Sequence, residues 1–121
     1  MGRVTIVDET TSGDRDGGRG LDVAEDRLAL RELIRRRVHQ EVAEYHAGSG
    51  VRFRGLVRPR EVEPGQRVDP GAQTERALRA FEGNGLLVLV DDRQITELDE
   101  EIPLPSGTEI TFLTLVPLVG G

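Results

Sequence analysis

Gly120 and Gly121 follow directly on a hydrophobic strand pattern, EITFLTLVPLVGG, that runs from Glu109 to the last residue. A carboxyl group carried on two glycines has no Cβ beside it, so the main chain can enter a narrow channel and approach another backbone or a nucleotide phosphate closely. The chemistry open to such an end is acyl activation, with an ATP-using adenylating enzyme reaching the Gly121 carboxylate. Composition removes most alternatives. There is no cysteine, hence no disulfide, no thiolate metal site and no thiol nucleophile, and any thioester or thiocarboxylate step must draw on a partner's sulfur. All 16 basic residues are arginine, which excludes the lysine of a Walker-type phosphate loop and a Schiff-base lysine. A chain without lysine also offers no side-chain amine to a second copy of itself, leaving the α-amino group at Met1, so self-chaining would be suppressed. The abundance of Arg, Gly, Ala, Val, Asp and Pro is equally what a GC-rich genome produces regardless of function.

Other reactive side chains lack the context that chemistry needs. Ser12, Ser49 and Ser106 lie in expected turns without a base and an orienting acid, so hydrolase chemistry has no support. His39 and His46 have no second histidine at i,i+4, and no metal site is expected. Glu97, Asp99, Glu100 and Glu101 form an acidic loop that could hold a cation weakly, meet a basic partner or simply be solvated. A net charge of −6 argues against nucleic acid. Arg35, Arg36, Arg37, Arg52, Arg54, Arg58 and Arg60 are the local exception, and an Arg-rich RNA-binding accessory is the weakest of three readings. Glu32 to Arg36 and Arg37 to Glu41 are i,i+4 pairs, which reads as a solvated helix face. No catalytic residue, bound cofactor, nucleic acid or membrane partner is expected.

The elements that would position the terminal carboxyl can be read from patterning. At 121 residues the chain is one domain, expected over 1–116, with 117–121 a flexible tail. No apolar run approaches the ~20 residues of a membrane helix, and no secretory h-region opens the chain, so a cytoplasmic location is expected. Val4 to Thr10 alternates as a strand, Gly13 to Gly20 reads as turn chemistry, and Leu21 to Ala24 reads as a second short strand. Leu30, Leu33, Ile34, Val38, Val42 and Tyr45 recur at helical spacing, predicting a main helix over 28–47 with Asp26 as cap and Gly48-Ser49-Gly50 as its end. A segment around 48–72, with a possible strand at 51–57, reads as an insertion or long loop. A short second helix is expected around 74–83, stopped by Gly83-Asn84-Gly85. Leu86 to Val90 is a buried strand, Asp91-Asp92 a turn, Arg93 to Ile95 the return, and Glu109 to Val116 the last strand. The expected fold class is α+β, a mixed sheet wrapped over one main helix, with the last strand parallel beside the first in the sheet's centre.

The segment Leu86 to Gly121 resembles the C-terminal half of β-grasp sulfur carriers, namely the molybdopterin-synthase small subunit and the thiamine-biosynthesis sulfur carrier, and more distantly ubiquitin. Val88 to Ile95 looks like their strand, tight turn and return. Gly107-Thr108-Glu109-Ile110 resembles their Gly-Asp-Glu-Val turn, and Pro117-Leu118-Val119-Gly120-Gly121 resembles their Pro-Val-x-Gly-Gly ending. The resemblance implies a ubiquitin-like β-grasp fold. It also implies that the terminal glycine is adenylated by a ubiquitin-activating-type enzyme, with ATP bound by that partner, then thiocarboxylated or joined to a target. Gly121 would carry the chemistry, Gly120 would give passage, and Pro117, Leu118 and Val119 would dock the tail in the partner's groove. Further partners would be lysine-bearing targets or a sulfur-accepting enzyme. The tail's proline, leucine and valine stand nearer the sulfur carriers than ubiquitin's arginines do, whereas size and insertion point the other way.

Alternation marks a second surface. With Ile110, Phe112 and Val116 toward the helix, Leu113 and Leu115 face outward beside Leu87 and Leu89, an apolar partner-binding patch unless another segment or a second copy covers it. A β-grasp interaction module with an incidental Gly-Gly ending is therefore the principal alternative.

Overall fold

The computed structural model describes residues 2–13, 15–47 and 68–115. Strands β1 (Gly2–Thr10) and β2 (Arg15–Val23) form a hairpin, followed by β3 (Arg27–Ala29), α1 (Leu30–His46), α2 (Pro70–Glu82), β4 (Leu86–Val90), β5 (Arg93–Ile95), β6 (Glu101–Pro103) and β7 (Glu109–Thr114). The main sheet has the order β2-β1-β7-β4-β5, and β3 pairs with β6 in a separate two-stranded sheet. β7 lies parallel to β1, with Ile6 beside Ile110 and Asp8 beside Phe112, while every other pairing is antiparallel. The chain is thus α+β, with a mixed sheet and two helices among the described residues, and β7 occupies the sheet's middle position as connection rules lead one to expect.

One face of the sheet and the apolar stripe of α1 enclose the core. Val4, Ile6, Leu86, Val88, Ile110 and Phe112 from the strands meet Leu30, Leu33, Ile34, Val38 and Val42 from the helix, all buried. At roughly 1.5–3 kcal/mol per fully buried large apolar side chain, these contacts are the main term opposing chain entropy. α2 adds Ala77 and Phe81, and β6 with the turn after it adds Ile102 and Leu104.

Four expectations are corrected. The glycine-rich run after Gly13 is mostly strand: the hairpin turns at Thr11, Ser12 and Gly13, whose φ is +100°, and β2 runs through RDGGRG from Arg15. Between the Ile6–Arg19 and Asp8–Asp16 pairs, Gly17 and Gly18 oppose the single residue Val7, a β-bulge that the glycines accommodate. Helix α1 begins at Leu30 without a side-chain cap, because the Leu30 and Arg31 N–H groups donate to the carbonyls of Glu100 and Leu98 at 3.1 and 2.9 Å. Tertiary carbonyls therefore take the place expected of Asp26, whose own carbonyl accepts from Leu104 N–H at 2.8 Å. Residues 27–29 and 101–103, too short to show a period, pair as β3 and β6, so Glu101 belongs to a strand and not to the acidic loop. Finally, α2 starts four residues earlier than expected, with Pro70 in the first turn and the Asp69 carboxylate accepting from Gly71 N–H at 3.0 Å.

Other punctuation matches its chemistry. Gly83 closes α2 and Asn84 follows at φ +62°. Asp91 and Asp92 both adopt positive φ, +47° and +73°, the conformation a two-residue hairpin needs to follow the strand twist. The possible strand at 51–57 and the Gly48-Ser49-Gly50 stop lie outside the described residues.

Candidate functional site at the end of β7

The strand that leads to the glycines is clamped on both sides up to its last described residue. Thr11 N–H donates to the Thr114 carbonyl at 3.1 Å, and Leu115 N–H donates to the Gly85 carbonyl at 2.9 Å. The β1–β2 turn on one side and the turn after α2 on the other thus frame the point where the chain continues toward residue 121. Pro117, Leu118, Val119, Gly120 and Gly121 lie outside the described residues, as does Val116.

The four leucines occupy the sheet face opposite α1. Leu87 pairs directly with Leu113 across β4 and β7, and Leu89 pairs with Thr111. Their neighbours Leu86, Val88, Val90, Ile110 and Phe112 are buried in the core, whereas Leu87, Leu89 and Leu113 are half-buried and Leu115 is 39% exposed. Of the large apolar side chains among the described residues, Leu115 alone is exposed, so the exposed apolar area on this face is small. Its border is polar. Arg15 reaches Glu9 at 3.1 Å and Glu109 at 3.8 Å, bridging residues on either side of Val7. Val7 itself is only 2% exposed although it lies on this outer face, with the Gly17 backbone packed against it.

Beneath the same end of the sheet sits a charged group that patterning did not reveal. Asp8 receives Arg37 Nη2 at 2.6 Å and Nε at 3.3 Å, and Arg37 Nη1 donates to Glu41 at 2.6 Å. The guanidinium also lies 5.9 Å from the Phe112 ring centroid, within cation–π range. Arg37 and Glu41 are 3% and 1% exposed. Burial acts to lower the Arg37 pKa, but the Asp8 and Glu41 carboxylates outweigh it and hold the guanidinium above its ordinary range. The expectation of a solvated Arg37–Glu41 pair is thereby corrected: both belong to the buried stripe, and the available signal was that positions 37 and 41 complete the three- and four-residue spacing of Leu30, Leu33, Ile34, Val38 and Val42.

Glu32–Arg36, by contrast, is a surface pair, at 2.9 Å, within a cluster that includes Arg35 and Glu25. The Arg35 hydrogen bond leads the causes that lower Glu32 to about 2, and the Glu25 and Glu32 hydrogen bonds raise Arg36. With Arg37 buried and Arg35 and Arg36 bound to carboxylates, these arginines do not form a free basic patch. The acidic loop is likewise compensated: Asp99 pairs with Arg31, Glu100 with Arg93 and Glu101 with Arg27 at 3.1, 2.9 and 3.7 Å. No group of metal-ligating side chains occurs among the described residues.

His46 Nε2 accepts from Val68 N–H at 3.0 Å, a packing role at the α1–α2 junction. Ser12 shares a 2.8 Å hydrogen bond with Thr10, and Ser106 lies against Gly2, where an added Cβ would approach its hydroxyl to 2.9 Å. A cleft of about 370 Å³ between α2 and the 96–99 loop is lined by Phe81, Asn84, Leu86, Ile95, Glu97 and Arg31, without a nucleophile and base in partnership. Among the described residues no helix is long and apolar enough to cross a membrane. No protein-family model, curated protein or solved structure matches the chain.

Proposed function

We propose that the fold is a β-grasp of the ubiquitin-like kind and that the chain is a carrier or modifier, a substrate of an adenylating enzyme rather than an enzyme itself. Adenylation by a ubiquitin-activating-type partner, which binds the ATP, would precede thiocarboxylation or conjugation of Gly121 to a target amine. The observation that carries this reading is the delivery of the chain by β7. The strand lies in the middle of the sheet, parallel to β1, and is hydrogen-bonded on both sides as far as Leu115. A firmly held strand followed in sequence by Val116 and then Pro117-Leu118-Val119-Gly120-Gly121 would present an acyl group on a short tether, those last five residues spanning on the order of 15 Å if extended at about 3.3 Å each.

The leucine surface favours one second reading, a protein-interaction module in which the glycines have no part. Leu87, Leu89, Leu113 and Leu115 belong to both readings, as the surface that engages the adenylating enzyme or as the surface that engages any other protein. Capture of partners from the native cell distinguishes them. Deletion of Gly120 and Gly121 is expected to abolish ATP-dependent transfer while leaving the folded state intact, and Leu115→Asp to weaken binding. If the deletion has no consequence and Leu115→Asp removes every partner, the interaction module stands and the carrier does not.

A further inference from the structure

The cleft between α2 and the 96–99 loop carries negative charge that the fold leaves uncompensated. Elsewhere carboxylates are commonly paired: Asp8 and Glu41 hold Arg37, Glu9 holds Arg15, and Glu75 holds Arg79. Glu82 and Glu97, one on each side of the cleft, have neither an ion pair nor a side-chain hydrogen bond among the described residues. Glu82 also stands at the C-terminal end of α2, where the last carbonyls already place partial negative charge. Arg79, the basic residue of that turn, is engaged by Glu75 at 3.5 Å and does not relieve it. Arg31, the basic residue of the lining, is held by Asp99 at 3.1 Å.

Apolar residues form the floor, where Phe81, Leu86 and Ile95 are buried. Leu87 lines the cleft and pairs with Leu113 on the outer sheet face, so the cleft and the leucine surface are continuous. No group of metal-ligating side chains occurs among the described residues, so the charge is spread along the cleft and does not converge on a point. A volume of about 370 Å³ with an apolar floor and acids on both sides matches an elongated cation with an apolar stem. We propose that the cleft receives an arginine side chain of a partner protein laid across Leu87 and Leu113, its methylenes over the floor and its guanidinium between Glu82 and Glu97. Arginine fits better than lysine because its planar fork carries five donors, enough to serve carboxylates on two sides at once. This rests on the leucine surface as a partner site, which the carrier and interaction-module readings share.

The test is a titration of the full ¹⁵N-labelled chain, followed by NMR, with the capped peptide acetyl-Leu-Thr-Arg-Thr-Leu-amide. The same peptide with citrulline in place of arginine keeps the shape and removes the charge, and ethylguanidinium supplies the cation without a peptide. The arginine peptide is expected to shift the amides of Asn84, Leu87, Thr96 and Glu97 saturably. The citrulline peptide should bind about fivefold more weakly, the discrimination that two solvent-exposed ion pairs supply. The double variant Glu82→Gln with Glu97→Gln should bind both peptides equally, whereas Glu75→Gln, at a carboxylate outside the cleft, should keep the preference. Both glutamates are exposed, and the spectrum of the free double variant verifies that it is folded. Equal binding of the two peptides by wild type would overturn the proposal, as would a preference that survives in the double variant. So would shifts confined to other surfaces, or no saturation at millimolar peptide. Ethylguanidinium binding as tightly as the arginine peptide would make the cleft a site for free cations and overturn its assignment to a partner protein. Each of these results leaves partner capture and its loss in Leu115→Asp untouched, so failure here is distinguishable from failure of the leucine surface itself.

Discussion

Replacing Arg37 by methionine removes the guanidinium that bridges Asp8 and Glu41 while retaining most of the apolar length of the side chain. Glu41, 1% exposed, then loses the 2.6 Å guanidinium hydrogen bond that helps offset its burial, whereas Asp8, with its side chain 24% exposed, can turn toward water. Breaking a buried pair from one side costs about 3–5 kcal/mol, because the remaining ion has lost hydration without recovering it elsewhere. For a domain whose total stability is of order 5–15 kcal/mol, that is a large fraction. Urea unfolding at neutral pH, with the slope shared between variants, measures it directly. The double variant Arg37→Met with Glu41→Leu should recover most of the loss, since an ion pair replaced on both sides by apolar groups is often neutral or stabilising. Wild type and Arg37→Met should also differ by nearly the same amount at low and high salt, because the group is shielded from mobile ions. A loss under about 1 kcal/mol for Arg37→Met, or a double variant as weak as the single one, would refute the assignment of these residues to a desolvated network.

Three further outcomes are expected. Glu32 is held at about 2 against an ordinary value of 4.5, so its stabilisation is complete above pH 4.5 and is lost as pH falls through about 2. Because Arg35 is exposed and Arg36 and Glu32 are partly exposed, solvent screens these pairs, so Glu32→Gln should cost only about 1 kcal/mol at neutral pH, and acid titration of unfolding should show that difference vanishing at low pH. Asp69→Ala removes the α2 cap and should lower stability by about 1 kcal/mol in the same urea assay, with a loss below a few tenths counting against the capping role. Asp92→Gly relieves a non-glycine residue at φ +73° and should raise the thermal midpoint, with a gain of up to about 1 kcal/mol, whereas a decrease would mean that the turn is not strained there.

Segments with a strong period or strong turn chemistry were legible as sequence. Leu86–Val90, the Asp91-Asp92 turn and the strand from Glu109 are bounded by residues whose local preferences agree with the sheet, and their parallel and antiparallel partners follow from topology rules. What stayed hidden depends on contacts distant in sequence. The β2 glycines look like a turn because nothing local records that β1 supplies the pairing and a bulge absorbs the extra residue. The start of α1 is set by carbonyls near residue 100, some seventy positions away, which overrides Asp26. Arg37 and Glu41 look solvated because charge ordinarily means surface, and only the combination of Asp8 with Glu41 makes burial of the guanidinium tolerable. The leucine face was legible by alternation alone, although its bordering Arg15 bridge was not.

Mass spectrometry of the chain purified from its native cell examines the terminal carboxyl itself. If Gly121 is an activated carrier end, part of the population carries an oxygen-to-sulfur exchange at that carboxyl, or Gly121 appears in amide linkage to lysines of other proteins. A population in which Gly121 is found only as an unmodified carboxylate, or is followed by further residues in the mature chain, would contradict it.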